Sequence, residues 1–175
     1  GLEHRAFIDR QKIFFVATAA PTGRVNVSPK GMGTFKVLGP NDVAYLDSTG
    51  SGNETRAHLL ASPDQRMTVM FCAFEGPPKI VRFHGTGEVI APSSSNWNAN
   101  RALFPAQPGD RSIIVVNISR VSDSCGYGVP KMEFVEERDT IARWVEKRGE
   151  ENLPAYRRQK NMRSIDGLPG ADFDA

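Results

Sequence analysis

Ile13-Phe14-Phe15-Val16-Ala17-Thr18-Ala19, a turn at Pro21-Thr22-Gly23, then Arg24-Val25-Asn26-Val27-Ser28-Pro29-Lys30: this stretch decides the fold. Proline presets one backbone angle and glycine permits positive φ, so the tripeptide signals a turn and the flanking runs read as a hairpin. Side chains of an extended strand alternate between two faces. Val25, Val27 and Pro29 therefore share one face. Arg24, Asn26, Ser28 and Lys30 share the other, which holds two cations separated by an amide and a hydroxyl. Such a face suits an anion, a phosphate above all, and so a phosphorylated cofactor.

Working outward, strands are expected at Phe35–Leu38, Val43–Asp47, Gln65–Phe74, Ile80–Ile90 and Arg111–Val121, with Lys131–Val135 as a short last candidate. Met67, Val69, Phe71 and Ala73 fill one face of the Gln65–Phe74 strand, and Met70, Cys72 and Phe74 most of the other. A strand apolar on both faces is covered on both, and in so small a domain one cover is expected to be a second subunit. Gly85 and Gly87 permit a bulge or bend in the following strand. Helices are expected over 3–11, 54–61, 94–104, 137–147 and 151–161, and an extended tail over 165–175. Six or seven strands with few helices between them predict a mainly β fold, an antiparallel sheet closing into a barrel.

The chain has 175 residues, 39% hydrophobic and 24% charged, with a net charge of +2. It is long enough for one ordinary domain with a real core. The charge is too mild to imply nucleic-acid binding. No apolar run approaches the roughly 20 residues needed to span a bilayer, and no signal-peptide pattern opens the chain. Two cysteines, Cys72 and Cys125, make no disulfide framework. A soluble cytoplasmic protein with no membrane partner is the expectation.

Three places could carry chemistry. Arg24 and Lys30 offer a planar fork and a point charge, though either could decorate a solvated strand. Ser51-Gly52-Asn53-Glu54-Thr55-Arg56 leads into a helix, where free backbone N–H groups suit an anion; Ser51, Asn53 and Thr55 add donors or simply cap the helix. Ser124-Cys125-Gly126-Tyr127-Gly128-Val129-Pro130 could lie against a flat ring or serve as a turn. No GxxxxGK[ST] loop, GxGxxG turn, GxSxG elbow or zinc-spaced cysteine and histidine set is present. The catalytic residues stay unknown, and no metal is expected. If the protein is an enzyme, a cofactor carries the reaction.

With these pieces in order, residues 5–135 resemble the pyridoxamine 5′-phosphate oxidase-like family of flavin-binding split barrels. The resemblance rests on Arg24–Gly31, Val43–Asp47, Glu54-Thr55-Arg56-Ala57-His58, Arg66–Phe71, Phe71–Pro78 and the later Cys-Gly-Tyr-Gly-Val-Pro. It implies a six-stranded antiparallel split β-barrel of Greek-key type over 1–135, with 136–175 a helical extension packed on the barrel or on a partner subunit. It further implies a homodimer with FMN in clefts between subunits and a small-molecule substrate. Lys30 then matches a position touching the flavin or its phosphate, and Thr55 and Arg56 the pair that holds the phosphate. Ser28 and Pro29 run beside the isoalloxazine ring, and Asp47 and Ser48 lie near the same cleft. Two departures stand out. Thr55 replaces an arginine, and Lys131–Glu137 does not reproduce the cluster that holds a B6 phosphate, so vitamin B6 oxidation is not implied. Relatives that bind the deazaflavin F420 or haem keep those cofactors as alternatives, and a non-catalytic binding or stress-response protein is the alternative function.

Overall fold

The computed structural model describes residues 2–170. Seven strands, β1 (Phe14–Ala19), β2 (Val25–Lys30), β3 (Phe35–Val37), β4 (Asp42–Ser48), β5 (Arg66–Cys72), β6 (Ile80–Ile90) and β7 (Asp110–Ser124), form one sheet in the order β2-β1-β5-β6-β7-β4-β3. Every pairing is antiparallel. The fold class is as the sequence implies. The three-residue β3 raises the strand count from six to seven: it extends the sheet beyond β4 by pairing Phe35 with Tyr45 and Val37 with Val43.

The sheet curls around one apolar core. Phe14 and Val16 from β1, Tyr45 from β4, Val69 and Phe71 from β5, Val81 from β6 and Ile114 and Val116 from β7 are buried together. Phe71 meets Phe14, Phe35 and Phe83 at ring-centroid separations of 5.0–5.8 Å, in range for favourable aromatic pairs. A smaller cluster of Ala44, Leu46, Ile90, Phe104 and Ile113 backs the sheet on its other side.

Two bulges shape this sheet. One lies between His84 and Gly85, where a Cβ at Gly85 would sit 1.9 Å from the Asn117 carbonyl oxygen. Only glycine admits that approach, so the expected bend is present. The other lies between Asp47 and Ser48: Asp47 pairs with Ser112 and Ser48 with Asp110, leaving Arg111 as the extra residue.

Helix α1 (Leu2–Ile8) buries Phe7 and Ile8 in the core, and α2 (Glu54–Ala61) inserts Leu59 there. Helix α3 is shorter than expected, Trp97–Arg101, because Ser93-Ser94-Ser95 favours turns and caps over helix. After β7 the stretch 131–139 forms no strand. It is exposed throughout; its glutamates and Pro130 give it no face worth burying. Helices α4 (Thr140–Arg148) and α5 (Leu153–Lys160) then return to the sheet. Val145 and Leu153 bury against Gly109, while Trp144 and Tyr156 pack edge to face at 4.9 Å under the Arg148 guanidinium. No helix among the described residues is long and apolar enough to cross a membrane. Of the expected tail, 171–175 lies outside the described residues.

Candidate functional site

The curled sheet brings its edge strand β2 against the end of β4 at Lys30, the last residue of β2. Its Nζ donates to Asp47 Oδ1 at 2.7 Å, tying β2 to the end of β4. The second Asp47 oxygen accepts from Arg111 Nε at 3.0 Å and Nη2 at 2.7 Å. The bulge that leaves Arg111 unpaired in the ladder is what lets its side chain reach Asp47. Asp47 is 2% exposed. Burial alone would raise its pKa, but the Arg111 and Lys30 charges and hydrogen bonds outweigh it and hold the carboxyl well below the usual range. Tyr45, buried beside it, is pushed well above its ordinary value by burial and then by the Asp47 charge.

A second polar chain runs from β2 to α2. Asn26 Nδ2 donates to Thr18 Oγ1 and to Thr55 Oγ1, each at 3.1 Å, and Ser28 Oγ donates to Asn26 Oδ1 at 3.2 Å. Thr18 Oγ1 lies 3.1 Å from His58 Nδ1. The imidazole's other nitrogen, Nε2, is turned the opposite way, toward α2's own first residue. That nitrogen faces Glu54 Oε2 at 3.9 Å, and neither atom has a hydrogen-bond partner among the described residues. Helix α2 thus turns Thr55, Arg56 and His58 inward beside Leu59: its buried side is a polar lining.

The C-terminal segment closes over the start of α2. Asn53 Nδ2 donates to the carbonyls of Asn161 and Gly170, both at 2.9 Å. Arg111 Nη1 donates to Gly52 O at 2.7 Å and to Asn161 Oδ1 at 3.0 Å, and Asn161 Nδ2 returns a bond to Gly50 O at 3.0 Å. Arg157 Nε reaches Thr49 Oγ1 at 2.9 Å and its Nη2 reaches Asp110 O at 2.7 Å. The Ile165 N–H donates to Glu54 Oε1 at 3.0 Å. A Cβ at Gly170 would lie 2.1 Å from Asn161 O, so this close approach requires glycine. Burial, then the neighbouring Arg111 and Arg157 charges, brings the Arg56 pKa down to about 10 despite the Asp47 carboxylate. Arg157 is lowered likewise by burial and by Arg111.

The residues expected from sequence therefore divide. Lys30, Asp47, Ser28, Asn53, Thr55 and Arg56 are gathered around the start of α2. Ser48 Oγ accepts from Gln107 at 3.3 Å on the rim, and Ser51 is exposed on the approaching loop. Pro29 lies on the opposite, exposed face of β2. Arg24 precedes the strand and binds Asp166 through its backbone N–H at 2.7 Å and through its guanidinium. A strand rises about 3.3 Å per residue, so the length of β2 separates the two cations. Cys125 and Tyr127 stand beyond the end of β7, where Gly126 packs on Lys79; Tyr127 is 82% exposed. Sequence reasoning missed Arg111, Arg157 and Asn161. Arg111 carried one signal, a charge at the head of the apolar run Ile113–Val116. Arg157 and Asn161 carried none.

Lys30, Arg56 and Arg111 thus gather around Asp47, the one fully buried carboxylate among the described residues, with Arg157 close to Arg56 and Arg111 and neutral hydroxyl and amide donors beside them. That donor set fits a phosphate monoester. The same set offers no nucleophile: Cys72 lies in β5, and burial raises its pKa, Arg82 opposing. Among the described residues no group of three acidic, histidine or cysteine side chains could hold a metal ion.

The family model described as pyridoxamine 5′-phosphate oxidase matches residues 2–125. A curated relative, the pyridoxamine 5′-phosphate oxidase family protein ustO of Aspergillus flavus, is 41% identical over 186 residues, covering 92% of this chain and 71% of the relative. Among solved structures, HupZ of Group A Streptococcus superposes with a TM-score of 0.58 at 19% identity, over 71% of this chain and 94% of HupZ. The FAD binding protein of Mycobacterium smegmatis superposes with a TM-score of 0.51 at 10% identity, over 71% of this chain and 93% of that one. At these identities the two structures bear on the fold alone.

Proposed function

The chain belongs to the pyridoxamine 5′-phosphate oxidase family, and from that membership we propose that it is an FMN-dependent oxidoreductase acting on a small organic substrate. The single observation that carries this reading is the convergence of Lys30, Arg56 and Arg111 with the polar face of β2 at the start of α2. Lys30 and Arg56 would hold the phosphate, with Thr55 contributing its hydroxyl. Ser28 and Asn26 would line the path toward the ring.

Bound FMN would supply two-electron chemistry, hydride exchange at the ring. The chain's own groups would bind the phosphate, fix the ring's orientation and exclude water. The reading includes a homodimer with the cofactor between subunits. Val25 and Val27 are 70% and 62% exposed on the outer face of β2, where a second copy would cover them.

Titration with FMN, followed by flavin fluorescence, tests the site. Lys30→Ala with Arg56→Ala should weaken binding by two charge-assisted contacts, about a hundredfold or more. Unchanged affinity would remove the phosphate from this place. A Soret band in the purified protein would favour haem, and 420 nm absorbance F420. A flavin that stays oxidised under every electron donor would favour a storage or sensing role.

A further inference from the structure

We propose that the C-terminal segment Arg157–Gly170, which lies beyond the family-matched residues 2–125, forms part of the phosphate end of the cofactor site, Arg157 supplying positive charge there and Asn161 orienting Arg111. This rests on the flavin reading above and adds to it a structural element outside the barrel.

The segment is built into the site. Asn161 is wholly buried and engages it through three atoms: its carbonyl takes Asn53, its Oδ1 takes Arg111 and its Nδ2 reaches Gly50 O. The Arg111 fork is thereby fixed from two sides, Asp47 on one edge and Asn161 with Gly52 on the other. A guanidinium so pinned cannot swing away, so its charge faces the start of α2 at no further ordering cost. Arg157 is held by two neutral acceptors, the Thr49 hydroxyl and the Asp110 carbonyl. Neither is an anion, and the one carboxylate whose field reaches it, Asp110, is already bound by Arg101. Its position also matters to the site, because Arg56 lies in the positive fields of both Arg111 and Arg157. Cations held together against their mutual repulsion in a half-buried place are stabilised by an anion. A mere brace for the barrel would have no use for that arrangement; neutral or apolar groups would pack the same helix at lower cost.

FMN and riboflavin differ by one phosphate, so the ratio of their affinities isolates the phosphate end. We expect Arg157→Gln and, independently, Asn161→Asp to weaken FMN by about tenfold, the worth of one charge-assisted contact, while riboflavin affinity stays within about twofold, the spread of near-neutral substitutions. Arg157→Lys, which keeps the charge, should recover much of the FMN preference even if Arg157→Gln folds poorly. Equal shifts for both ligands, or no shift for either, would make the segment a structural brace and overturn the proposal while leaving flavin binding intact. A wild-type protein that binds both flavins equally, or neither, would overturn the phosphate site and this proposal together.

Discussion

The two faces of β2 are inverted relative to an ordinary surface strand. Asn26, Ser28 and Lys30 point inward and are half-buried, while Val25, Val27 and Pro29 point outward and are exposed. A strand at the edge of a single domain would place its valines in the core. A one-residue slip would achieve that, yet the register Phe14↔Lys30 through Ala19↔Val25 holds without interruption. The polar face is kept inside because it is wired to three elements: Lys30 to β4, Asn26 to α2 and β1, and Ser28 to Asn26. What this teaches is that β2 is placed by the site it builds rather than by its hydrophobicity.

The heaviest blow to the inner face is Asp47→Asn. It leaves Lys30 and Arg111 buried without their shared carboxylate, and breaking such an arrangement from one side costs about 3–5 kcal/mol. Chemical denaturation should show that loss; a midpoint near wild type would mean the ion pairs do not hold β2 to β4. Acid should act through the same group. Its folded pKa lies below the unfolded one, so its contribution is fully present above about pH 4, the ordinary carboxylate value, and is lost as pH falls below it. The acid limb of the stability curve should therefore be shallower in Asp47→Asn.

Asn26→Ala comes next. It removes the donor to Thr18 and Thr55 and the acceptor for Ser28, three hydrogen bonds in a largely buried place, a loss of about 1–3 kcal/mol. The hydrogen-exchange protection of β2 should fall with it. Protection equal to wild type would show that Lys30 alone fixes the strand.

How much of this was legible in the sequence follows from the same contrast. The hairpin and the alternation of β2 were readable because strand periodicity is local and the turn residues are strong signals. Which face turned inward was not, because the partners that decide it, Asp47, Thr55 and Thr18, are remote or on other elements. Lys30 and Arg56 could be named from their contexts. Arg111 depends on a bulge, and no composition marks a bulge that contains no glycine. Arg157 sits on, and Asn161 just after, a charged C-terminal helix whose sequence reads as an exposed surface. Their role depends on contacts about 50 to 110 residues back along the chain. Lys131–Val135 failed as a strand for the converse reason: its alternation was local, but beyond one backbone bond, Met132 N–H to Phe74 O, it pairs with no strand.

Val27→Asp tests the outer face. In one chain it should change stability by no more than about 1 kcal/mol, the span of strand propensities, because Val27 touches little of its own core. In the proposed dimer the new carboxylate would be buried against its symmetry mate, so sedimentation should shift from dimer to monomer at micromolar protein. Wild-type protein that is itself monomeric would leave the exposed valines as surface and remove the shared cleft.

The smallest effect is expected from Arg24→Ala, and it sharpens the contrast at the strand's own end. Arg24 and Lys30 share the inner face by parity, which is why the pair suggests one anion site. Parity says nothing of depth along the strand. Lys30 lies where β2 meets β4, with its side chain largely covered, whereas the Arg24 guanidinium is mostly exposed and bound to Asp166 in the C-terminal turn. A solvent-exposed ion pair contributes little because water already satisfies both partners. Removing Arg24 should leave FMN affinity and the FMN-to-riboflavin ratio at wild-type values in the same fluorescence titration. A clear fall in FMN affinity would place the phosphate near the turn instead, and would move the site to the far end of β2.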